Sequence, residues 1–544
     1  MRLRRLVVLA LLASLAVGCT RVGTANGSGA RHAYTHPHEL RFAAASDIQQ
    51  LNPLIDETLY EAYLASMTMA WLIKTDAHGD STIPELCTEL PSQRNGGISP
   101  DGKTITWHLR HNVKWSDGAP FDADDVVFTT KAILNPANIV VSRDGWDQIV
   151  RIEEPDKYTV VYHLKAPYSS FAVTFFSTGG ANPAVLPQHL LKGFPNLNQI
   201  PYNSLPVGIG PFKYETWRRG ESVVMVANDR YFRGRPKLDR VVYSTIQDRN
   251  TILQQMRSHE LDLWIPVSPH YFPEVTSIPG ITGIKIPSFT FNHLDFNLRA
   301  SALQDVRVRR ALRYAIDRRA INDKVQNGLY ILGESPVATT SRYHLDLPLV
   351  PFDLAKANAL LDAAGWKRGA GGVRSRGGQP LSLVMATATG SPDTDTEIEL
   401  IRGWWKQIGV QFSVKHYLNS LFFAPASEGG IIYGGKFDVV LFSWALDTNE
   451  DLSNLYACYR FPPNGQNVMH WCDARATAAM DASKKTYDQP LRKRYLAIVQ
   501  RRVYDQVPTV ILNERRLLAG ANDDLTNWRP NAVAPFDDML KVDI

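Results

Sequence analysis

Residues 437–444 (FDVVLFSW) are an almost unbroken apolar run, and few folds can accommodate such a run. A strand with one wet face alternates apolar and polar side chains; a strand covered on both faces has no need to. Eight residues suit a strand better than a helix. The run therefore predicts a central strand with helices packed over both faces of its sheet, which makes the chain an α/β protein. The flanking sequence supplies the helices. Residues 305–327 carry Val308, Leu312, Ala315 and Ile316 at helical spacing, with Arg307, Arg309, Arg310, Arg313, Arg318 and Arg319 expected on a solvated face. Residues 353–364 read as a helix capped by Asp353 and stopped by Gly365, and residues 394–408 as another ended by Gly409, with a loop over 365–378.

The first half reads mainly as strands: 40–44, 104–110, 158–165, 222–228 and 238–246. Between them FDADDVVFTTKAIL (121–134) is a helix with Asp122 as its N-cap and Asp124 and Asp125 in the first turn. Capping accounts for that acidic cluster better than a cation site, because no calcium-loop glycine follows. A chain of 544 residues exceeds what one hydrophobic core supports, so two lobes with mixed sheets are expected.

The N-terminus sets the compartment. Arg2, Arg4 and Arg5 precede an apolar stretch over 6–17, and Ala16-Val17-Gly18 leads into Cys19. This pattern is that of a secretory signal over 1–18, too short to span a bilayer. The cysteine after a small residue resembles a bacterial lipobox, which makes Cys19 the expected lipidation site and places the protein on the periplasmic or extracytoplasmic side of the envelope. Residues 20–38 are polar and Gly-rich and read as a tether with a reach of about 25 Å. His32, His36 and His38 lie in it as bystanders. Setting the three signal arginines aside leaves 56 basic and 54 acidic side chains, a balance that excludes nucleic-acid binding by bulk charge.

In an oxidising compartment Cys458 and Cys472 are expected to pair, closing a loop of about 15 residues. Zinc held by those thiols and His470 is the rival, for which no fourth ligand is visible. Cys87 is left as a small buried residue. HELDL (259–263) begins like a zinc-protease motif, but Leu263 stands where the second histidine belongs. A secreted hydrolase, the alternative from another functional class, finds no Gly-x-Ser-x-Gly elbow, His-Glu-x-x-His or phosphate loop to stand on.

Three long blocks carry a family resemblance: DGKTITWHLRHNVKWSDGAPFDADDVVFTTKAIL (101–134), VGIGPFKYETWRRGESVVMVANDRYFRGRPKLDRVV (207–242) and LDFNLRASALQDVRVRRALRYAIDRRAI (294–321). They resemble the extracytoplasmic solute-binding proteins of the peptide/nickel class, family 5, whose best-known members bind dipeptides and oligopeptides for ABC importers. The resemblance implies a two-lobed clamp of class II-like periplasmic-binding-protein type. The first lobe would comprise residues 39–293 and 515–544, with an extra subdomain over about 79–205. The second would be 294–514, with chain crossings near 291–296 and 513 acting as hinge.

It implies a monomeric binding protein without catalytic residues, metal or other cofactor, partnered by an ABC permease and ATPase complex. The ligand would be a short peptide; the same scaffold elsewhere takes nickel chelates, opines, sugars and antibiotic peptides. In the peptide binders a Trp-x-x-Asp at the place of Trp444-Ala445-Leu446-Asp447 sets the carboxylate against the peptide ammonium. This assigns Asp447 and Trp444 to the ligand, with Ser443 and Asn449 beside them. The rival role for Asp447 is to cap the turn that follows it. Chain 455–472 resembles the segment that two cysteines staple in dipeptide binders. Of the aromatics expected near the crevice (Trp146, Phe289, Phe291, Tyr417, Trp444), Trp444 is the one assigned.

Overall fold

Ten strands of the described residues join in a single mixed sheet. The structure is a computed structural model, which describes residues 31–544 other than 57, 179–182, 447, 449, 450 and 532. Residues 36–544 form one unit; of the separate N-terminal unit, residues 31–35 are described and contain a turn closed by the Thr35 amide on the His32 carbonyl.

The large sheet contains β1 (Glu39–Ala44), β2 (Phe212–Arg218), β3 (Ser222–Ala227), β4 (Arg240–Thr245), β5 (Leu263–Trp264), β6 (Ile281–Phe296), β7 (Ser382–Ala388), β8 (Gln411–Tyr417), β9 (Val439–Ala445) and β10 (Thr509–Asn522), in the order β8-β7-β9-β6-β10-β5-β1-β4-β3-β2. β1 runs parallel to β4 and β5, and β7 parallel to β8 and β9; β6 is antiparallel to both β9 and β10. β9 is the strand expected from the apolar run. Its Val439 and Leu441 enter one core and Val440 and Phe442 another, which is why neither face carries polar residues there.

β6 and β10 are the longest strands, and each serves two cores. Ile286 and Ala519 pack with Leu40, Phe42 and Phe536, whereas Leu294, Phe296, Val510 and Leu512 pack with Trp405 and Leu383. Between these stretches the ladder is irregular: Pro287 pairs with Arg516 and Phe291 with Glu514, so three residues of β6 face one of β10, and a second shift follows at Asn292/His293. Such bulges loosen and bend a pair of strands.

A separate core gathers Trp107, Trp115, Trp146, Phe175 and their neighbours between residues 54 and 209. It is roofed by an antiparallel sheet in which Thr104–His108 and Ile149–Asp156 flank Thr159–Leu164. Beside it lie α1 (Leu59–Thr68) and α2 (Ala123–Leu134). Asp122 caps α2 as expected: its carboxylate accepts from the Asp124 amide at 3.2 Å, and Asp125 returns a bond from the Asp122 amide at 3.2 Å. Trp146 is therefore a core residue.

The longer remaining helices among the described residues are α3 (Arg249–Arg257), α4 (Val306–Tyr314), α5 (Arg318–Val325), α6 (Leu354–Ala363), α7 (Pro392–Gln407), α8 (Ala474–Lys485) and α9 (Gln489–Gln506). Three expectations need correction. The helix expected over 305–327 breaks at Ala315–Ile316, because Asp317 starts a new one by accepting from the Ala320 amide at 3.0 Å. Its arginines are not all solvated: Arg309, Arg313 and Arg318 are buried. Arg309 donates to the Gln506 and Val507 carbonyls and Arg313 to that of Tyr504, at the end of α9 where unpaired carbonyls and the helix dipole favour a cation. Arg318 pairs with Glu334 and donates to the Val350 and Ile511 carbonyls. The stretch 365–378 is also more than a loop, since Lys367–Arg368, Arg374–Arg376 and Gln379–Pro380 make a small sheet.

Chain 80–171 meets chain 342–487 at several polar contacts away from the long strands. The Tyr487 hydroxyl accepts from the Tyr168 amide at 3.1 Å and donates to the Gly102 carbonyl at 2.8 Å. The Ser169 amide donates to the Lys484 carbonyl at 2.8 Å, its hydroxyl to the Ser483 carbonyl at 2.9 Å, and Arg342 pairs with Asp80.

Candidate functional site

The site expectation centres on the end of β9, and the structure shows how that end is held. Ser443 lies opposite Asn292 and Trp444 opposite Phe291 on β6. The Ser443 hydroxyl donates to Asn292 Oδ1 at 2.6 Å, and Asn292 Nδ2 donates to Asn513 Oδ1 at 3.0 Å. A polar rung thus crosses β9, β6 and β10 where the ladder is irregular. Trp444 meets Phe442 edge-on at 4.9 Å and lies nearly parallel to His293 at 6.3 Å. The Leu446 amide donates to the Phe289 carbonyl at 3.0 Å, which ties the chain leaving β9 to the bulged part of β6. Asp447 and Asn449, the other two expected ligand residues, lie outside the described residues, as does Cys19.

Under Trp444, His293 and Asp295 are both buried, with Nε2 and Oδ2 3.3 Å apart. Neither side chain completes a hydrogen bond among the described residues. Burying such a pair costs desolvation that an apolar pair would not incur. Sequence reading missed it, although His293 and Asp295 are two positions apart on the strand and so fall on one face by the period of two.

A cavity of about 310 Å³ opens beside the same stretch of β6. Ser288 and Thr290 of β6, Arg515 to Leu517 of β10, Tyr60 of α1, Arg249 of α3 and Trp264 of β5 contribute to its wall. Its volume falls within the range of small-ligand sites. None of these residues was singled out from sequence except as strand or helix. The available signal was the Arg515-Arg516 pair interrupting the apolar strand TVILNERRLLAGAN (509–522).

Cys458 and Cys472 are joined in a disulfide, so neither thiol is available to zinc. Cys87 is free and buried; its thiol donates to the Leu72 carbonyl at 3.0 Å, and burial pushes its pKa up to about 12. Among the described residues no three His, Cys, Asp or Glu side chains gather as a metal site, and no helix is long and apolar enough to cross a membrane.

Residues 82–466 match the family model described as bacterial extracellular solute-binding proteins, family 5 middle. The chain is 26% identical over 524 residues to the oligopeptide-binding protein AppA of Bacillus subtilis (strain 168), covering 94% of this chain and 92% of that one. It is 25% identical over 441 residues to the dipeptide-binding protein of Escherichia coli (strain K12), covering 76% and 78%. Among solved structures, AppA from Bacillus subtilis in complex with a nonapeptide superposes with a TM-score of 0.74 at 22% identity, over 93% of this chain and 98% of that one. NikZ from Campylobacter jejuni in complex with Ni(L-His) gives 0.76 at 23%, over 94% and 100%. The fold is therefore the two-lobed α/β architecture of these proteins.

Proposed function

The chain belongs to the bacterial extracellular solute-binding proteins of family 5, and on that premise we propose that it captures short peptides between two lobes and hands them to an ABC permease. The observation that carries this reading is the match to an oligopeptide-binding protein along 94% of the chain. The lobes are residues 39–293 with 515–544, including a subdomain over about 79–205, and residues 294–514. The hinge is the irregular stretch of β6 and β10, whose two ends belong to different cores. Ligand buried at a hinge holds the lobes together, and the joined shape is what a permease can read.

Asp447 receives the peptide ammonium, one residue past Leu446, which is tied to Phe289. Trp444 forms the wall beneath it, and Ser443 and Asn449 flank it. A desolvated ammonium–carboxylate pair is worth forming only when both charges are present, so the contact selects a free N-terminus. Cys19 carries the lipid and the tether runs from residue 20 to the folded unit, which begins at His36 rather than after residue 38: the His38 amide donates to the Ile544 carbonyl and its imidazole meets Asp543 at 2.7 Å.

A thermal-shift screen with the mature protein tests the reading. Di- to tetrapeptides with free N-termini raise Tm, as ligands specific to the native state must. N-acetylated peptides raise it much less, and Asp447→Ala removes the difference. Equal shifts with acetylated peptides would take Asp447 out of the ammonium role. A shift only with a nickel chelate or sugar would replace the peptide as ligand. Mass spectrometry of the incubated peptides returns them intact from a receptor and cleaved from a hydrolase.

A further inference from the structure

One face of β6 buries a titratable pair whose polar atoms have only each other. His293 and Asp295 are each 1% exposed, and Nε2 and Oδ2 lie 3.3 Å apart. β6 is paired on both sides here, His293 with Phe442 and Ile511 and Asp295 with Val440 and Thr509, so the neighbouring main chain is committed to the ladder. Neither imidazole nitrogen and neither carboxylate oxygen completes a hydrogen bond. Three rings surround the imidazole: Phe442, Phe291 and Trp444, with centroids at 4.4, 5.1 and 6.3 Å. The opposite face of the strand differs, because Asn292 is held there by Ser443 and Asn513. Other imidazole–carboxylate contacts are shorter and open to water: His38 meets Asp543 at 2.7 Å, His416 meets Asp395 at 2.8 Å and His189 meets Asp117 at 2.9 Å. Among the described residues, His293–Asp295 is the one such pair with both side chains buried.

With one proton between them, as imidazolium and carboxylate or as imidazole and carboxylic acid, the two groups are neutral overall. Without it, a carboxylate stands alone among aromatic rings. Burial penalises the second state far more than the first, because a lone charge out of water loses its hydration and gains no partner. The surrounding elements supply little to offset that. β9 has no titratable side chain, and β10 has none from Thr509 to Asn513; Glu514, next along, is bound to Thr339. The single helical turn Ser453–Tyr456 contributes Tyr456, whose phenol pKa is pushed up by burial first and by the Asp295 charge second. Tyr456 therefore stays a neutral hydroxyl. Trp444, at the end of β9, lies nearly parallel to the imidazole and is itself half-buried, so what covers Trp444 also covers the pair.

We propose that His293 and Asp295 share one proton beneath Trp444 and that this proton is linked to ligand binding: the receptor takes up protons as ligand covers Trp444, and holds its ligand less tightly as pH rises. The inference rests on the peptide-receptor reading for Trp444 as a wall of the ligand site. A ligand on Trp444 removes the solvent nearest the pair and so widens the gap between its neutral and its singly charged state. Linkage is reciprocal: if ligand tightens the hold on the proton, the proton tightens the hold on ligand by the same factor. Burial sets the sign, since covering the pair favours the neutral state. Affinity is therefore highest below the pH at which the pair gives up its proton, and is lost as pH rises through it.

The test is calorimetric titration of the mature protein with trialanine, in buffers of small and of large ionisation heat. Wild type is run beside Asp295→Asn and the double variant His293→Gln, Asp295→Asn. Binding heats that differ between buffers count the protons taken up. The peptide's own ammonium contributes alike in every variant, so the pair is read as the difference. From about pH 6 to about pH 9 wild-type affinity should fall about threefold or more beyond the fall in the double variant, with more protons taken up by wild type. Equal falls with equal uptake overturn the proposal, as does a greater release of protons by wild type. Circular-dichroism melting establishes that each variant is folded. Where neither pair variant folds, Trp444 decides: an imidazolium quenches a neighbouring indole, so wild-type emission less that of Trp444→Phe should show a step with pH, and saturating trialanine should move it to higher pH. No step, or a step that trialanine leaves in place, overturns the proposal. Trialanine that fails to bind overturns the peptide reading instead; the nickel chelate of histidine then takes its place in the same comparisons, and the proposal stands or falls on them. No binding of either probe overturns both.

Discussion

The contact made by Tyr487 turns the proposed lobe division into a measurable quantity. Tyr487 lies between α8 and α9 in the second lobe, and both partners of its hydroxyl, the Tyr168 amide and the Gly102 carbonyl, belong to the first-lobe subdomain. Tyr487→Phe deletes both bonds and keeps the ring, which packs on Phe171 with centroids 6.1 Å apart. A hydrogen bond contributes about 0.5–1.5 kcal/mol net, so the joined form loses about 1–3 kcal/mol. If ligand binds only with the lobes together, that loss passes undiminished into affinity, and Kd for a bound peptide rises roughly 5- to 150-fold. Calorimetric titration reads the Kd, and a melt of the ligand-free protein provides the control. A receptor that parts its lobes when empty loses affinity without losing ligand-free stability. An unchanged Kd would refute the reasoning, and so would a fall in ligand-free Tm that accounts for the whole effect. Gly102→Ala should act in the same direction. Its φ of +71° disfavours a side chain, and a Cβ would stand 2.8 Å from the Tyr487 ring.

Lys74 and the Cys458–Cys472 staple give two stability predictions. The Lys74 ammonium lies 3.6 Å from Glu85 and 3.5 Å from Asp537, buried with both; Glu85 also pairs with Arg233 at 3.2 Å, so Lys74→Met leaves Asp537 as the carboxylate without a cation and costs about 3–5 kcal/mol near neutral pH. Burial already raises the Asp537 pKa against the pull of Lys74, and removing the lysine raises it further. A carboxyl whose folded pKa exceeds its unfolded one destabilises the fold as pH rises, so the defect in urea unfolding should be larger at pH 8 than at pH 5; the reverse order would sink the argument. Replacing Cys458 and Cys472 by serine opens a loop of sequence separation 14 and should cost about 3 kcal/mol, read as a lower urea midpoint. An unchanged midpoint would mean that the staple contributes nothing.

What could be read from the sequence followed from how local each interaction is. FDVVLFSW announced a strand covered on both faces because the run needs no partner to be recognised, and Asp122 announced a cap because its partners are two and three residues away. The arginine stripe over 307–319 misled because a guanidinium's best partner can be a main-chain carbonyl, and every residue type carries one. Arg309 and Arg313 find theirs 191 to 198 positions later, at the end of α9. The break at residues 315–316 was similarly hidden: Asp317 can sit in a helix or start one, and packing decides. Arg249 and the Arg515-Arg516 pair come together only once β5, β6 and β10 are laid side by side.

The same geometry argues that binding and bending share one piece of backbone. Between Pro287 and Phe291 the chain spends three residues where β10 spends one. Ser288 and Thr290 from that excess face the cavity, the Ser288 hydroxyl donates to the Arg515 carbonyl at 2.8 Å, and the Phe289 carbonyl accepts from Leu446. A regular ladder here would have committed the Phe289 carbonyl to β10 and stiffened the crossing. The bulge leaves that carbonyl to the chain leaving β9, while the Ser288 hydroxyl keeps a hold on β10, at the point where β6 passes from one core to the other. A ligand touching residues 288–290 would therefore act on the segment proposed as the hinge between the lobes. Differential contact with that segment is what lets a ligand shift the balance between parted and joined forms. Substitutions that regularise the bulge should accordingly weaken binding even where they touch no ligand atom.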